Sequence, residues 1–292
     1  MEEFTNLINH CKQMYEDTPF CDTCPMTQCY KGCRNDCYNC LTHIHKIYTK
    51  NEHYTCEKIT YNYILKHAHR YASEISWAVW NSRSLFNLEQ PLKVASVGCG
   101  PSTELYGFMR AFYKTPVHYS GFDMSEVWKP IQDFIKETVT NSNRHINYHN
   151  QDFIEHLTET SEIYDLLIFN YFFSDFIKYK PEECMAFIEN LVPYIFAGHF
   201  KTIIINDVML MYESGTGFSC MEKIAGKIKD NMNYHFEMKR RHFAYPNQWQ
   251  FAYGDKLKDD ITLDITEDIA NYEPFSTCGS IQLIINTINK SI

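Results

Sequence analysis

The sequence predicts an α/β protein with a doubly wound, mostly parallel sheet and a small helical, cysteine-rich module at its N-terminus. From about residue 92, short apolar runs alternate with longer segments of helical periodicity, which is the pattern of repeated βα units. Before that point the composition differs, because eight of the twelve cysteines lie in the first 56 residues. We therefore divide the chain into a cysteine-rich, metal-binding module over 1–56, a connecting helix over 57–84 and an α/β domain over 85–292.

The strands of the α/β domain are predicted from its apolar runs, and its helices from the segments between them. The predicted parallel strands are LKVASVG (92–98), VHYSGFD (117–123), HINYHNQD (145–152), YDLLIFN (164–170) and KTIIINDV (201–208). Helices are predicted over 102–114, 126–140, 181–196 and 217–230. Near the end of the chain, HFEMKRRHFAY and SIQLIINTI alternate like terminal strands. Repeated βα units of this kind place helices on both faces of one sheet.

The overall composition restricts the class of protein. The chain has 292 residues, 45% of them hydrophobic, which is enough for one large α/β domain and a small additional module. A net charge of −9 disfavours non-specific binding to nucleic acid, which depends on neutralising phosphates. The first residues, MEEFTNLINH, carry acids where an export signal needs basic residues, and no apolar run reaches membrane-spanning length. These features predict a cytoplasmic protein without a membrane partner.

A glycine-rich turn follows the first strand, in the segment VASVGCGPSTEL. Gly98 and Gly100 let the backbone turn sharply and approach a ligand at the carboxyl ends of the strands, where open parallel sheets bind ligands. The second strand ends in Asp123, whose carboxylate can accept hydrogen bonds from a ribose diol. The third ends in Asp152, which can accept from an adenine amino group. A tight βα turn and two helix caps are the alternative interpretations of these residues.

These segments resemble the motifs of class I S-adenosylmethionine-dependent methyltransferases. VGCGPSTEL resembles their glycine-rich loop, GFDMS and NQDF resemble their second-strand and third-strand acids, and YDLLIFN resembles the fourth strand, which ends beside the methyl group. The resemblance implies a Rossmann-like, seven-stranded sheet with an antiparallel last hairpin, and S-adenosylmethionine as cofactor. The cofactor-binding residues that it implies are Gly98, Cys99, Gly100, Pro101, Asp123, Met124, Asp152, Phe153 and Asn170.

Two residues depart from the usual acid-x-G-x-G-x-G loop of that family. Ser96 stands where an acid precedes the first glycine, and Ser102 stands in place of the third glycine. Both changes predict a looser hold on the amino-acid end of the cofactor, with a serine hydroxyl bridging through water. A nicotinamide dinucleotide is disfavoured, because Thr103 occupies the third glycine position of a G-x-G-x-x-G loop.

The residues that act in catalysis are predicted just after the fourth strand, in NYFFSD. Methyl transfer from a sulfonium mainly requires that the acceptor be held in line with the methyl group. We predict Asn170 and Tyr171 for this task, through a hydrogen bond to an amine and through stacking on a planar substrate. Phe172 and Phe173 are expected to pack in the core. Asp207, at the end of the fifth strand, is a second candidate, with helix capping as its alternative.

The spacing of the cysteines predicts a metal site in the N-terminal module. Two cysteines separated by two residues can bind one tetrahedral ion, and the later cysteines of the module fall on one stripe of a helix. Zn²⁺ is predicted, with an Fe–S cluster as the alternative, and disulfides or reduced core cysteines are disfavoured. The predicted ligands are Cys11, Cys21, Cys24, Cys29, Cys33, Cys37, Cys40 and Cys56.

Together these features predict S-adenosylmethionine-dependent methyl transfer, with the metal-bound module covering the cleft. The acidic total charge favours a small-molecule acceptor. RNA or DNA is the alternative, because residues 31–70 carry seven Lys or Arg against three acids, with aromatic residues interleaved. Two further hypotheses are a catalytically idle, methyltransferase-like binding module, motivated by Ser96 and Ser102, and radical chemistry on an Fe–S cluster, which the position of the cysteines disfavours.

Overall fold

The computed structural model describes residues 2–18, 57–141, 143–208, 216–229, 234–244, 263, 265–275 and 277–287. Its α-helices there are α1 (Glu2–Asp17), α2 (Glu57–Asn81), α3 (Thr103–Ala111), α4 (Lys129–Val139), α5 (Phe153–Glu159), α6 (Phe173–Tyr179), α7 (Pro181–Phe196) and α8 (Gly217–Ile228). Its strands are β1 (Leu92–Val97), β2 (Val117–Phe122), β3 (Arg144–His149), β4 (Tyr164–Asn170), β5 (Phe200–Val208), β6 (Tyr234–Ala244) and β7 (Thr277–Thr287). No helix in this part of the chain is long and apolar enough to cross a membrane.

The seven strands form one sheet in the order β3-β2-β1-β4-β5-β7-β6. Strands β1 to β5 run parallel to one another, whereas β7 runs antiparallel to both β5 and β6. The prediction of a mostly parallel, seven-stranded sheet with an antiparallel last hairpin is therefore confirmed. The strand order reverses between β1 and β4, so their carboxyl ends border the crevice where doubly wound sheets bind ligands.

Helices cover both faces of the sheet because successive residues of a strand point to opposite sides. Val94 and Leu166 pack in the core that α1 to α4 share with the sheet. Ala95 and Leu167 pack in the core on the side of α5 to α8. Strands β1 and β4 are buried on both faces as a result, which explains why their sequences are almost continuously apolar.

Helix α2 confirms the helix predicted after residue 56, and it packs against α1 and α3. Gly107 of α3 allows a close approach of the two helices, since a Cβ there would stand 2.2 Å from the carbonyl oxygen of Ala72. The buried face of α2 also carries polar groups, and the Ser73 hydroxyl accepts a hydrogen bond from the Leu263 N–H. Most of the residues of α2 are buried, so this helix is packed in the body of the α/β fold.

Helix α1 is absent from the elements predicted above. Phe4, Leu7, Ile8 and Cys11 are buried on one face at a spacing of three and four residues, and they pack in the same core as α2 and the sheet. The first helix is therefore amphipathic and docks on the α/β fold through its apolar stripe.

Cys11 is the one predicted metal ligand that lies within the described residues. It is buried in this apolar stripe as a free cysteine, and burial raises the pKa of its thiol, which disfavours the thiolate that binds a metal. The packing thus argues against its predicted role as a ligand. The other seven cysteines of the predicted site lie outside the described residues, so the cysteine-rich module and its boundary at residue 56 stay predictions.

Candidate cofactor and acceptor site

The glycine-rich loop after β1 turns in the left-handed region of backbone space. The φ angle is +61° at Gly98 and +47° at Gly100, values that residues with a Cβ rarely adopt. A Cβ at Gly98 would also stand 2.3 Å from the ring of Phe172. Ser102, in the place of the third glycine, has a φ of 54°. A serine thus adopts the left-handed conformation that a glycine would provide, which costs roughly 1–2 kcal/mol.

Asp123 joins the end of β2 to this loop. Its Oδ2 accepts a hydrogen bond from the Gly100 N–H at 2.8 Å, and its Oδ1 accepts one from the Ser125 N–H at 2.8 Å. Burial raises the pKa of this carboxyl, and the two backbone hydrogen bonds partly offset that effect. Gln132 donates to the Gly100 carbonyl at 2.8 Å, so both polar groups of this glycine are fixed. Each carboxylate oxygen of Asp123 has a further lone pair, which can accept from a ligand hydroxyl.

Asp152 is the N-cap of α5. Its Oδ1 accepts hydrogen bonds from the N–H groups of Ile154 at 2.7 Å and Glu155 at 3.1 Å. The capping role that was the alternative interpretation of this acid is therefore present in the structure. Asp152 also lines the cavity described next. The neighbouring Phe153 packs in the core on the side of the sheet that α5 to α8 cover.

One cavity of about 620 Å³ opens at the carboxyl ends of the parallel strands. All the residues predicted above for cofactor binding, together with Tyr171, line it, so the structure brings together what the sequence places on four separate loops. These residues are Gly98, Cys99, Gly100, Pro101, Asp123, Met124, Asp152, Phe153, Asn170 and Tyr171. The volume falls within the range of about 300–1,000 Å³ that small-molecule and cofactor sites occupy.

The end of β4 is held by a buried hydrogen-bond network. The Asn206 side-chain amide donates to the Asn170 Oδ1 at 2.9 Å and to the Glu74 Oε2 at 2.6 Å. Tyr171 has a φ of 56°, its hydroxyl donates to the Glu74 Oε1 at 3.1 Å, and its ring stacks on Tyr71 with centroids 4.1 Å apart. The two predicted catalytic side chains are therefore fixed in orientation by residues from α2 and β5.

The remaining candidates after β4 and β5 fall into different environments. Phe173 is completely buried, as expected, and Phe172 packs against the same core as a partly buried side chain. Phe172 also lines the cavity and contacts the glycine loop. Asp207 is also completely buried, and it accepts hydrogen bonds from the Ser174 N–H at 2.9 Å and the Val208 N–H at 2.7 Å. Its carboxylate thus holds the start of α6, and it is not among the residues that line the cavity.

Several residues line the cavity although the sequence did not predict them there. Tyr63 and Tyr71 of α2 lie eight residues apart, a spacing that puts both on one face of a helix, and both line the cavity. Trp128 stands beside Gly100, since a Cβ at that glycine would lie 3.4 Å from its ring. Glu104, at the start of α3, and Asp175, in α6, add two carboxylates to the wall. The spacing of Tyr63 and Tyr71 indicates a shared helix face. Their position at the cavity could not be predicted, because they precede the strand-end loops of the site by more than 25 residues in the chain.

Asp175→Asn is expected to change how stability depends on pH. Burial raises the pKa of Asp175 to about 6, with Lys178 acting in the opposite direction. Burial also raises the pKa of Asp207 to about 6, and the charge of Asp175 contributes to that rise. Between about pH 4 and pH 6 the folded protein therefore binds more protons than the unfolded chain at these groups, and they lower the free energy of unfolding as pH rises.

The variant should consequently gain stability relative to the wild type as pH rises from about 4 to 7, on the order of 1–2 kcal/mol after allowance for partial exposure of Asp175. Urea unfolding of both proteins at several pH values measures this difference. A difference that stays constant over the range would contradict the assignment.

The sheet order defines a doubly wound α/β fold, and the glycine loop and the strand-end acids line a cavity at the carboxyl edge of its sheet. No protein-family model matches the chain, and no curated protein matches it. Similar solved structures include a precorrin-6y C5,15-methyltransferase from Geobacter metallireducens GS-15, at 13% identity over 74% of this chain and 89% of that chain, with a TM-score of 0.43.

Two further similar structures are methyltransferases by their descriptions. The plantazolicin methyltransferase BpumL, in complex with a pentazolic desmethylPZN analog and SAH, is 12% identical over 98% of this chain and 99% of that chain, with a TM-score of 0.42. The methyltransferase domain of bacterial CtHen1 is 14% identical over 74% of this chain and 98% of that chain, with a TM-score of 0.41.

Proposed function

We propose that the chain is an S-adenosylmethionine-dependent methyltransferase of class I. The observation that carries this proposal is the position of Asp123, whose carboxylate joins the glycine loop to the end of β2 at the edge of the cavity. Spare lone pairs on this carboxylate suit the two hydroxyls of a ribose. Gly98 and Gly100 leave the backbone open to the amino-acid end of the same ligand. When bound, the cofactor supplies an activated methyl group on a sulfonium.

The contribution of the chain to the reaction is positioning. Asn170 and Tyr171 stand at the end of β4 in fixed orientations, and the Tyr71 ring backs Tyr171. A preorganised wall of this kind holds an acceptor near the methyl group without a change in its own structure. The Asn170 amide offers a hydrogen bond to the acceptor, and the stacked tyrosines offer a flat apolar surface.

The lining of the cavity favours a small-molecule acceptor over nucleic acid. Among the described residues, five carboxylates line it and Lys180 is the one basic residue there. The five are Glu104, Asp123, Asp152, Asp175 and Glu183. An excess of negative charge repels phosphates, on which binding of RNA and DNA depends. Acceptance of nucleic acid through the basic cysteine-rich segment is the alternative, and the experiment below separates the two.

Turnover of S-adenosylmethionine tests the proposed activity. The full chain is incubated with the cofactor and, in separate reactions, with a pool of small cell metabolites or with total RNA. Formation of S-adenosylhomocysteine is measured by mass spectrometry. We expect product in the metabolite reaction and none for Gly98→Val, whose side chain would collide with Phe172. Product with RNA alone would support the alternative acceptor. Cofactor binding without product in either reaction would support the idle binding module.

We further propose that the cysteine-rich segment binds Zn²⁺ and lies over the cleft. Tyr63, which lines the cavity, is six residues from the start of α2 at Glu57, or roughly 9 Å along a helix. The first residue of α2 is therefore within a short distance of a residue that lines the cavity. The proposed ligands are Cys21, Cys24, Cys29, Cys33, Cys37, Cys40 and Cys56, which the predicted cytoplasmic location would keep as thiols.

Elemental analysis of the purified chain by mass spectrometry tests the metal. We expect about two zinc ions per chain, as the seven proposed cysteines can hold two tetrahedral ions when the two ions share one thiolate. Cys24→Ser and Cys40→Ser should each lower the zinc content. Cys184→Ser is the control, because Cys184 is buried and no group of three or more potential metal ligands is found among the residues that the structure describes. Iron in place of zinc would support the cluster, and the absence of both metals would contradict the proposal.

A further inference from the structure

A buried carboxylate stands next to the glycine loop. Glu104, the second residue of α3, is 2% exposed and lines the cavity. Its Oε1 accepts hydrogen bonds from the Ser96 hydroxyl and from the Tyr119 hydroxyl, both at 2.6 Å. Ser96 is the residue that stands where the resembling loops carry an acid. The Glu104 carboxyl group therefore contacts Ser96, the residue that replaces the acid of those loops.

This carboxylate has no cationic partner in the described part of the chain. Burial raises the pKa of Glu104, and the hydrogen bonds from Ser96 and Tyr119 offset only part of that rise. The nearby charged side chain is another carboxylate, Asp123, and its charge raises the pKa further. Both hydrogen bonds from side chains end on the same oxygen, Oε1. A buried acid without a cation is costly, because desolvation disfavours its charged form. A cationic group on a ligand in the cavity would relieve this cost.

We propose that the Glu104 carboxylate binds the α-ammonium group of the amino-acid part of the cofactor. The proposal rests on the proposed function, and it assigns to the first turn of α3 the negative charge that Ser96 does not supply. The start of a helix suits this role, because the helix dipole stabilises an anion there. The Ser96 and Tyr119 hydroxyls hold one oxygen of the carboxylate, which fixes its orientation while the ligand is bound.

A purely structural role for Glu104 makes a different prediction. The Tyr119 hydroxyl also lies 3.0 Å from the Ser102 Oγ, so Glu104 belongs to a small polar cluster beneath the loop. If the cluster only supports the loop, its loss should weaken every ligand of the cavity alike. If Glu104 binds the ammonium group, its loss should weaken only ligands that carry that group.

Titration calorimetry with two ligands separates these roles. The ligands are S-adenosylhomocysteine and the same molecule without its α-amino group, and the proteins are the wild-type chain, Glu104→Gln and Tyr119→Phe. In the wild type we expect loss of the amino group to weaken binding about 10- to 150-fold, the range for a hydrogen bond between charged groups. In Glu104→Gln the two ligands should bind within about threefold of each other. Tyr119→Phe, which keeps the charge, should retain the discrimination.

Three results would overturn the proposal. The first is equal binding of both ligands by the wild type, a result that needs no variant and stands even if Glu104→Gln does not fold. The second is a Glu104→Gln protein that retains the discrimination of the wild type, which would leave Glu104 a structural role. The third is binding of neither ligand by the wild type, which would overturn the proposed function as well. Equal binding by the wild type would leave the proposed function intact, so the two failures are distinguishable.

Discussion

Alanine at position 123 is expected to weaken binding of S-adenosylhomocysteine about 10- to 150-fold, which corresponds to about 1.5–3 kcal/mol for charge-assisted hydrogen bonds. The carboxylate of Asp123 would supply the acceptors for the ribose hydroxyls. It also holds the N–H groups of Gly100 and Ser125, so the loop loses a restraint at the same time. Titration calorimetry of the variant against the wild type measures the loss.

Two further variants test whether the loss of affinity is due to the carboxylate of Asp123. Asp133→Ala removes an exposed carboxylate of α4 that pairs with Lys129, and it should leave the affinity unchanged. Asp123→Asn keeps one oxygen acceptor and the size of the side chain, so it should lie between alanine and the wild type. An Asp123→Ala protein that binds the ligand as tightly as the wild type would refute the proposed position of the ribose.

Gly107→Ala is expected to lower the free energy of unfolding by about 1–3 kcal/mol or more, the cost of overpacking a close contact. The added Cβ would stand 2.2 Å from the Ala72 carbonyl oxygen and 3.0 Å from the Ser76 nitrogen. Both are backbone atoms of α2, so relief requires that the two helices move apart. Because Tyr63 and Tyr71 of α2 line the cavity, the displacement should also weaken ligand binding.

Gly226→Ala is the matched control for this helical glycine. No atom lies within 4 Å of a Cβ built at Gly226, which is in α8. Alanine there should raise the free energy of unfolding by about 0.4–1 kcal/mol, because it restricts the unfolded chain and favours the helix. Urea unfolding measures both variants. Equal stability of Gly107→Ala and the wild type would mean that α2 and α3 are not in contact as described.

The strands and longer helices could be predicted because their signals are local. YDLLIFN coincides with β4, and PEECMAFIENLVPYIF coincides with α7. The short helices α5 and α6 were not predicted, since seven residues hold too little periodicity to read. Helix α1 was not predicted either, because its buried stripe comprises only four residues.

The candidate site was predictable where its residues lie at strand ends, and unpredictable where it depends on packing. Gly98, Asp123 and Asp152 follow strands, so their convergence follows from a parallel sheet. Glu104 has the sequence position of a solvated acid in the first turn of a helix, and its burial depends on Tyr119 from the next strand. The contact of Phe172 with Gly98 likewise joins residues far apart in the chain.

Titration of the purified wild-type chain with S-adenosylhomocysteine, in parallel with NAD⁺, tests the central claim most directly. The account predicts saturable binding of one S-adenosylhomocysteine per chain and no binding of NAD⁺. Binding of NAD⁺ but not S-adenosylhomocysteine would contradict the account and indicate a dinucleotide site, and binding of neither would contradict the assignment of the cavity to a nucleoside cofactor.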